Sequence, residues 1–159
     1  LMGVPQKRER VFFIAHRKDL SYPKLKMEFR SKPIPFSVVR EPYGKTLPED
    51  NMSAKLLKYR IPSDRCLADI SVRVRKKNSG FTSPINHDDE PVQTITAGGY
   101  CFRMCDGLLM TDKDIIGCQT FPQDYNFLDQ DVQYVCGMSV PPVMMAKISE
   151  QVYLQWLKE

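Results

Sequence analysis

The chain has 159 residues, 42% hydrophobic and 26% charged, with a net charge of +4. That composition is ordinary for a globular protein of one domain, or of one domain with part of another, and it excludes repeat and low-complexity classes. No run approaches the ~18 apolar residues of a membrane span and no secretory signal is visible, so no membrane partner is expected.

The first organised stretch runs from Gly3 to Arg17. Gln6-Lys7-Arg8-Glu9-Arg10 is dense and polar, and Val11-Phe12-Phe13-Ile14-Ala15 is unbroken, apolar, and rich in β-branched and aromatic residues. The apolar run predicts a strand buried on both faces. If the extended backbone reaches into the polar run, Gln6, Arg8 and Arg10 share one face and Lys7 and Glu9 the other. Two rigid guanidinium forks and an amide then project together, suited to planar carbonyl or phosphate partners. Taken alone, the polar run is better read as a solvated basic loop leading into a core strand.

Residues 24–48 contain Pro33, Pro35, Pro42 and Pro48, and predict loop with short extended pieces such as 36–40. Pro48-Glu49-Asp50 predicts a helix over about 49–60, with Pro and acids suiting its first turn. Ser63-Asp64 predicts a cap on a second helix running to about Ile70. Arg73-Val74-Arg75-Lys76-Lys77-Asn78-Ser79-Gly80 follows as the most basic run, read as a loop that follows a phosphate backbone, or as an ordinary exposed hairpin. Residues 81–93 read as loop. Thr94-Ile95-Thr96 is β-branched, and Ala97-Gly98-Gly99 permits a turn. Strands are expected at 100–103 and 108–110. Thr111 caps a helix to about Gln119, with Asp112 and Asp114 in its first turn. Residues 132–136 look helical. Pro141-Pro142 opens a last helix, whose Met144, Met145, Ile148, Val152 and Trp156 form a core-facing stripe.

The charge is unevenly distributed. Residues 1–80 carry 19 Lys/Arg and 8 Asp/Glu, a balance of +11; residues 81–159 carry 4 and 11, a balance of −7. A polyanion partner, nucleic acid first, explains this, as does a basic face packed beside an acidic one. The five cysteines lack a CxxC, and His16 and His87 lie far from Cys101 and Cys105, so reduced thiols rather than a metal site are expected.

Three stretches in register resemble the cytosine-specific DNA methyltransferases that modify the 5-position of the base. Gly3 to Val11 looks like the family's eighth motif, Gln-x-Arg-x-Arg before a strand. Glu90-Pro91-Val92-Gln93-Thr94-Ile95-Thr96-Ala97 looks like its ninth. Gly137-Met138-Ser139-Val140-Pro141-Pro142 looks like its tenth, with Met138 where the family usually has Asn. Leu109-Met110-Thr111 and Gln119-Thr120-Phe121-Pro122-x-Asp124-Tyr125 match the link between the last two.

The resemblance implies a mixed α/β fold. A loop-rich target-recognition domain would be flanked by a strand and C-terminal helices of a Rossmann-like methyltransferase domain. The divisions would be 1–17 for the strand segment, 18–106 for the recognition region with the ninth motif, and 107–159 for the returning helices. It implies double-stranded DNA and S-adenosylmethionine as partners, and a cytoplasmic setting. In the family the target cytosine is rotated out of the duplex, a cysteine adds to the ring, and a glutamate assists. Carried across, Arg10 would donate to the cytosine carbonyl, and Arg8 would brace the site. Gln6 would orient the segment or contact DNA, and Met138, Ser139 and Val140 would meet the cofactor. Thr94 and Thr96 would be structural. Arg73, Arg75, Lys76 and Lys77 are the best candidates for DNA contact. No cysteine here follows a proline, and the family's Gly-rich loop and Glu-Asn-Val are absent. The chain is therefore expected to be inactive alone and to need an N-terminal catalytic portion. A stand-alone DNA-binding or regulatory module derived from such an enzyme is the alternative.

Overall fold

The structure, a computed structural model, describes residues 2–78, 80 and 82–158. A single 3-10 turn, Phe36–Val38, precedes helices α1 (Met52–Leu57) and α2 (Leu67–Arg75). Strands β1 (Ile85–Asn86) and β2 (Phe102–Arg103) pair in parallel, with Ile85 opposite Phe102. Helices α3 (Asp112–Gln119), α4 (Val132–Met138) and α5 (Pro142–Val152) follow, the last running into a π-helical turn at Tyr153–Leu157. Helices and a small parallel sheet make a mixed α/β class, as expected. Most of the chain is irregular. No helix among the described residues is long and apolar enough to cross a membrane.

Side-chain caps explain most helix starts. Asn51 accepts from Ser53 N at 2.8 Å to open α1. Thr111 Oγ1 accepts from Asp114 N at 3.0 Å, and Asp114 returns a bond to Thr111 N at 2.8 Å, closing a capping box on α3. Asp131 accepts from Tyr134 N at 2.7 Å on α4. Pro141-Pro142 starts α5, where the missing N–H is no loss.

Three apolar clusters hold these pieces. Phe36, Val92, Ile95, Met110, Ile115, Cys118 and Cys136 form the central one, joining the ninth-motif segment to α3 and α4. Leu56, Leu57, Leu67, Ile70, Ile85 and Phe102 form a second, joining α1 and α2 to the small sheet. Val4, Met144 and Ile148 form a third, tying the start of the chain to α5.

Several expectations are corrected. Residues 11–15 are not a strand and are not buried: Val11 is 80% and Phe13 95% exposed, while Phe12 packs on the Val4 cluster. Phe12 alone of this run is partly covered, and no strand among the described residues pairs with it. The extended piece expected near Phe36 is a 3-10 turn. Helix α1 is shorter than 49–60, since Asn51 N bonds back to Pro48 O at 3.0 Å and makes 48–51 a turn. Helix α2 starts after Cys66, not at Ser63-Asp64, because Asp64 is buried and accepts from Ile61 N and Arg73 instead. Its own first turn is closed by Asp69, which accepts from Cys66 N at 2.9 Å and Arg65 N at 2.7 Å. Helix α2 also extends through Arg75 and ends at Lys76, in the left-handed region with φ 57°. The first three residues of the basic run are thus helical, and it is not a loop throughout. The turn expected at Ser79 and the loop start at Phe81 lie outside the described residues. On α5, Met144 and Ile148 are buried but Met145 is 46% exposed, so the core-facing stripe is narrower than its spacing suggested.

Candidate functional site

Backbone bonds first dock the polar run against the ninth-motif segment. Lys7 N donates to Val92 O at 2.8 Å, and Val92 N donates to Pro5 O at 3.0 Å. This parallel pairing around Gln6 sets the alternation of residues 6–10. Gln6 and Arg8 turn inward and are buried. Lys7 and Glu9 turn outward, and Lys7 pairs with Glu90, which also binds Arg65.

The buried Arg8 guanidinium gathers backbone oxygens from distant segments. Nη1 donates to Ile95 O at 2.8 Å and to Gln6 Oε1 at 3.3 Å. Nη2 donates to Gly137 O and to Ser139 O, both at 2.7 Å. One planar fork thereby ties the segment at 6–10 to the ninth-motif-like and tenth-motif-like segments, a geometry only arginine supplies. Burial, then the charge of Arg10, push this guanidinium below its ordinary value. Burial also pushes the Cys136 thiol up to about 11, with Arg8 opposing. Gly137 is required here: a Cβ would fall closer than 3.0 Å to Ala97 N and Thr96 C, so α4 rests directly on the ninth-motif backbone.

Arg10 differs. It is exposed, and Nη1 donates to the neighbouring Glu9 carbonyl at 2.7 Å. With Gln6, Arg8, Phe12, Thr94 and Met144 it lines an open cavity of about 870 Å³. A smaller groove of about 310 Å³ shares Thr94 and is lined by Thr96, Gly98, Gly99 and Tyr100.

Gln6 is held by hydrogen bonds inside the protein. It is 3% exposed, its amide donates to Gln119 Oε1 at 2.6 Å, and its Oε1 accepts from Ile95 N at 3.0 Å. Thr94 Oγ1 donates to Lys7 O, and Thr96 Oγ1 to Gly98 O at 2.6 Å, so both hydroxyls serve the backbone. Arg73 donates to Asp64 Oδ2 at 2.7 Å and to Tyr59 O at 2.8 Å, which engages it within the protein. Arg75, Lys76 and Lys77 remain exposed, away from the cavity lining.

Met138, Ser139 and Val140 do not line the cavity either; Arg8 links them to it through the Ser139 carbonyl. The Ser139 hydroxyl donates to Val135 O at 2.6 Å and retains only acceptor capacity. Met138 is 66% exposed, with an apolar side chain facing water. A cofactor with apolar and donor groups fits this loop through Met138 and the Ser139 oxygen; one needing the Ser139 proton does not. Gln119 was missed as a site residue, although a glutamine at the end of a helix between Cys118 and Thr120, on a face shared with Ile115 and Ile116, is a signal of a buried polar junction.

The chain is 25% identical over 167 residues to the type II methyltransferase M.BbvI of Brevibacillus brevis, an alignment covering 88% of this chain. The chain spans 42% of that relative's length. Residues 1–154 match the family described as C-5 cytosine-specific DNA methylase, and the chain belongs to that family.

Proposed function

We propose that this chain is the C-terminal, target-recognition part of an enzyme that transfers a methyl group from S-adenosylmethionine to carbon 5 of cytosine in a specific duplex sequence. The observation that carries this reading is the division of labour between the two arginines. Arg8 is consumed in tying the three motif segments together, and Arg10 keeps its guanidinium at the surface beside the cavity. Arg10 would donate to the carbonyl oxygen of a flipped cytosine, a placed charge of the kind that stabilises a developing anion. Residues 18–106 would read the duplex, with Arg75, Lys76 and Lys77 on phosphates. Residues 107–159 would return to the catalytic domain. Met138, Ser139 and Val140 would border the cofactor, which supplies the methyl group when bound. The missing nucleophile, acid and Gly-rich loop would come from an N-terminal catalytic portion, so the chain alone is inactive. A type II relative makes a restriction-modification setting, in the cytoplasm, the natural one for the parent enzyme.

The test mixes this chain with labelled S-adenosylmethionine and duplex DNA, with and without the catalytic portion. Transfer is expected only with it. In the assembled enzyme Arg10→Met should lower the turnover by about 10²-fold or more, the usual loss when a placed donor is removed. Robust transfer by the chain alone would refute the fragment reading. A DNA affinity insensitive to salt would refute duplex binding by the recognition region.

A further inference from the structure

The Gln119 side chain is fully buried, and both of its ends are engaged. Its Oε1 accepts from Gln6 Nε2 at 2.6 Å. Its Nε2 donates to the Ser139 carbonyl at 3.0 Å. That carbonyl also accepts from Arg8 Nη2 at 2.7 Å, and Arg8 Nη1 reaches Gln6 Oε1 at 3.3 Å. Gln6, Gln119, Ser139 and Arg8 therefore close a ring in which each bonds the next. The following residue extends the same grip: Thr120 Oγ1 accepts from Val143 N at 3.1 Å, at the start of α5. The end of α3 thus holds the 139–143 bend from both sides.

Glutamine is the side chain this position needs. It must accept from an amide at one end and donate to a carbonyl at the other. Glutamate would oppose an oxygen to the Ser139 carbonyl, methionine would offer neither group, and asparagine is a methylene short.

We propose that Gln119 is a positioning residue that couples the Arg10-bearing segment to the Met138–Val140 loop, so that cofactor on one side and a seated cytosine on the other are sensed together. This rests on the reading of those two segments given under Proposed function.

Two measurements test it. In the chain itself, hydrogen exchange should show Ser139 N and Lys7 N opening in one event. In Gln119→Met, Ser139 N should lose protection about tenfold, the loss of a single hydrogen bond, while Phe102 N in the small sheet is unchanged. In the assembled enzyme, saturating duplex DNA should tighten S-adenosylmethionine binding about tenfold in the wild type, and S-adenosylmethionine should tighten DNA binding by the same factor; in Gln119→Met both factors should fall to within about twofold of one. Gln119→Glu keeps length and acceptor, and it decides the matter if the methionine variant does not fold. Its Ser139 protection factor should recover as falling pH protonates the buried carboxyl and restores a donor. A uniform loss of protection across the chain, or a coupling factor unchanged in Gln119→Met, would overturn the proposal and leave Gln119 purely structural. Absence of cytosine methylation by the assembled wild type would instead refute the functional reading, while the exchange result still decides the ring.

Discussion

Replacing Arg8 and Arg10 in turn by methionine should separate folding from chemistry. Arg8 is 6% exposed and donates to three carbonyl oxygens. In Arg8→Met the Ser139 oxygen keeps Gln119 as a donor, but the Ile95 and Gly137 oxygens lose the bonds Arg8 made. Two orphaned buried acceptors cost about 1–3 kcal/mol each. Against this stands the relief of no longer burying a cation, whose Nε has no partner. A net destabilisation of about 3 kcal/mol is expected, a large share of the ~5–15 kcal/mol of a typical domain. With a urea m-value of about 2 kcal/mol per molar, the midpoint should fall by about 1.5 M. Arg10 is exposed, with one bond to its neighbour's carbonyl, so Arg10→Met should change stability by less than about 0.5 kcal/mol. Urea titration followed by circular dichroism measures both. A midpoint shift for Arg8→Met no larger than that for Arg10→Met would refute the clamp.

Gly137→Ala should be worse than either, because its Cβ meets backbone atoms of Thr96 and Ala97 that have no room to move; either the variant fails to fold or α4 leaves the ninth-motif segment, seen as a lower melting temperature and lost near-ultraviolet circular dichroism. Burial pushes the thiols of Cys101 and Cys136 up to about 11 and that of Cys118 well up, from an ordinary 9.0. The unfolded chain ionises first, so stability should fall as pH rises from about 9 towards 11, by up to about 1.4 kcal/mol per pH unit for each thiol, in thermal melts across that range. At pH 8 a thiol reagent should label exposed Cys105 at once and the three buried cysteines only on unfolding. At the acid end, the hydrogen bond from Lys7, aided by the charges of Lys7 and Arg65, holds the Glu90 carboxyl below its ordinary 4.5. Its contribution is present above that value and lost as pH falls through the folded one; Glu90→Gln should flatten the acid limb of the melting curve.

The parts legible in the sequence were those decided locally. Thr111 and Asp114 are three residues apart, and the capping box they form needs no other part of the chain. Pro141-Pro142 opened α5 for the same reason. What escaped was decided at a distance. Asp64 looked like a helix cap, but Arg73 on the next helix captures it, and the cap passes to Asp69. Val11 to Ala15 has the composition of a central strand, yet burial needs a neighbour, and none among the described residues is there. Arg8 finds its acceptors 87, 129 and 131 residues away, which no periodicity discloses. The motif resemblance located these segments without saying which side chains would be buried.

The spacing Gln-x-Arg-x-Arg acquires a physical reason from this geometry. Residues two apart on an extended chain share a face, so Gln6 and Arg8 both point inward once Gln6 pairs with Val92. Gln6 caps the Ile95 N–H, and Arg8 takes the carbonyl oxygen of that same residue. The chain is then pinned at two successive inward positions, and at the third it emerges, presenting Arg10 at the cavity rim. A single anchor would fix the height of the segment but leave its rotation free. Two anchors on one face fix both, and so set the direction in which the third side chain leaves. The first two residues of the pattern are therefore a mount, and the third is what the mount aims.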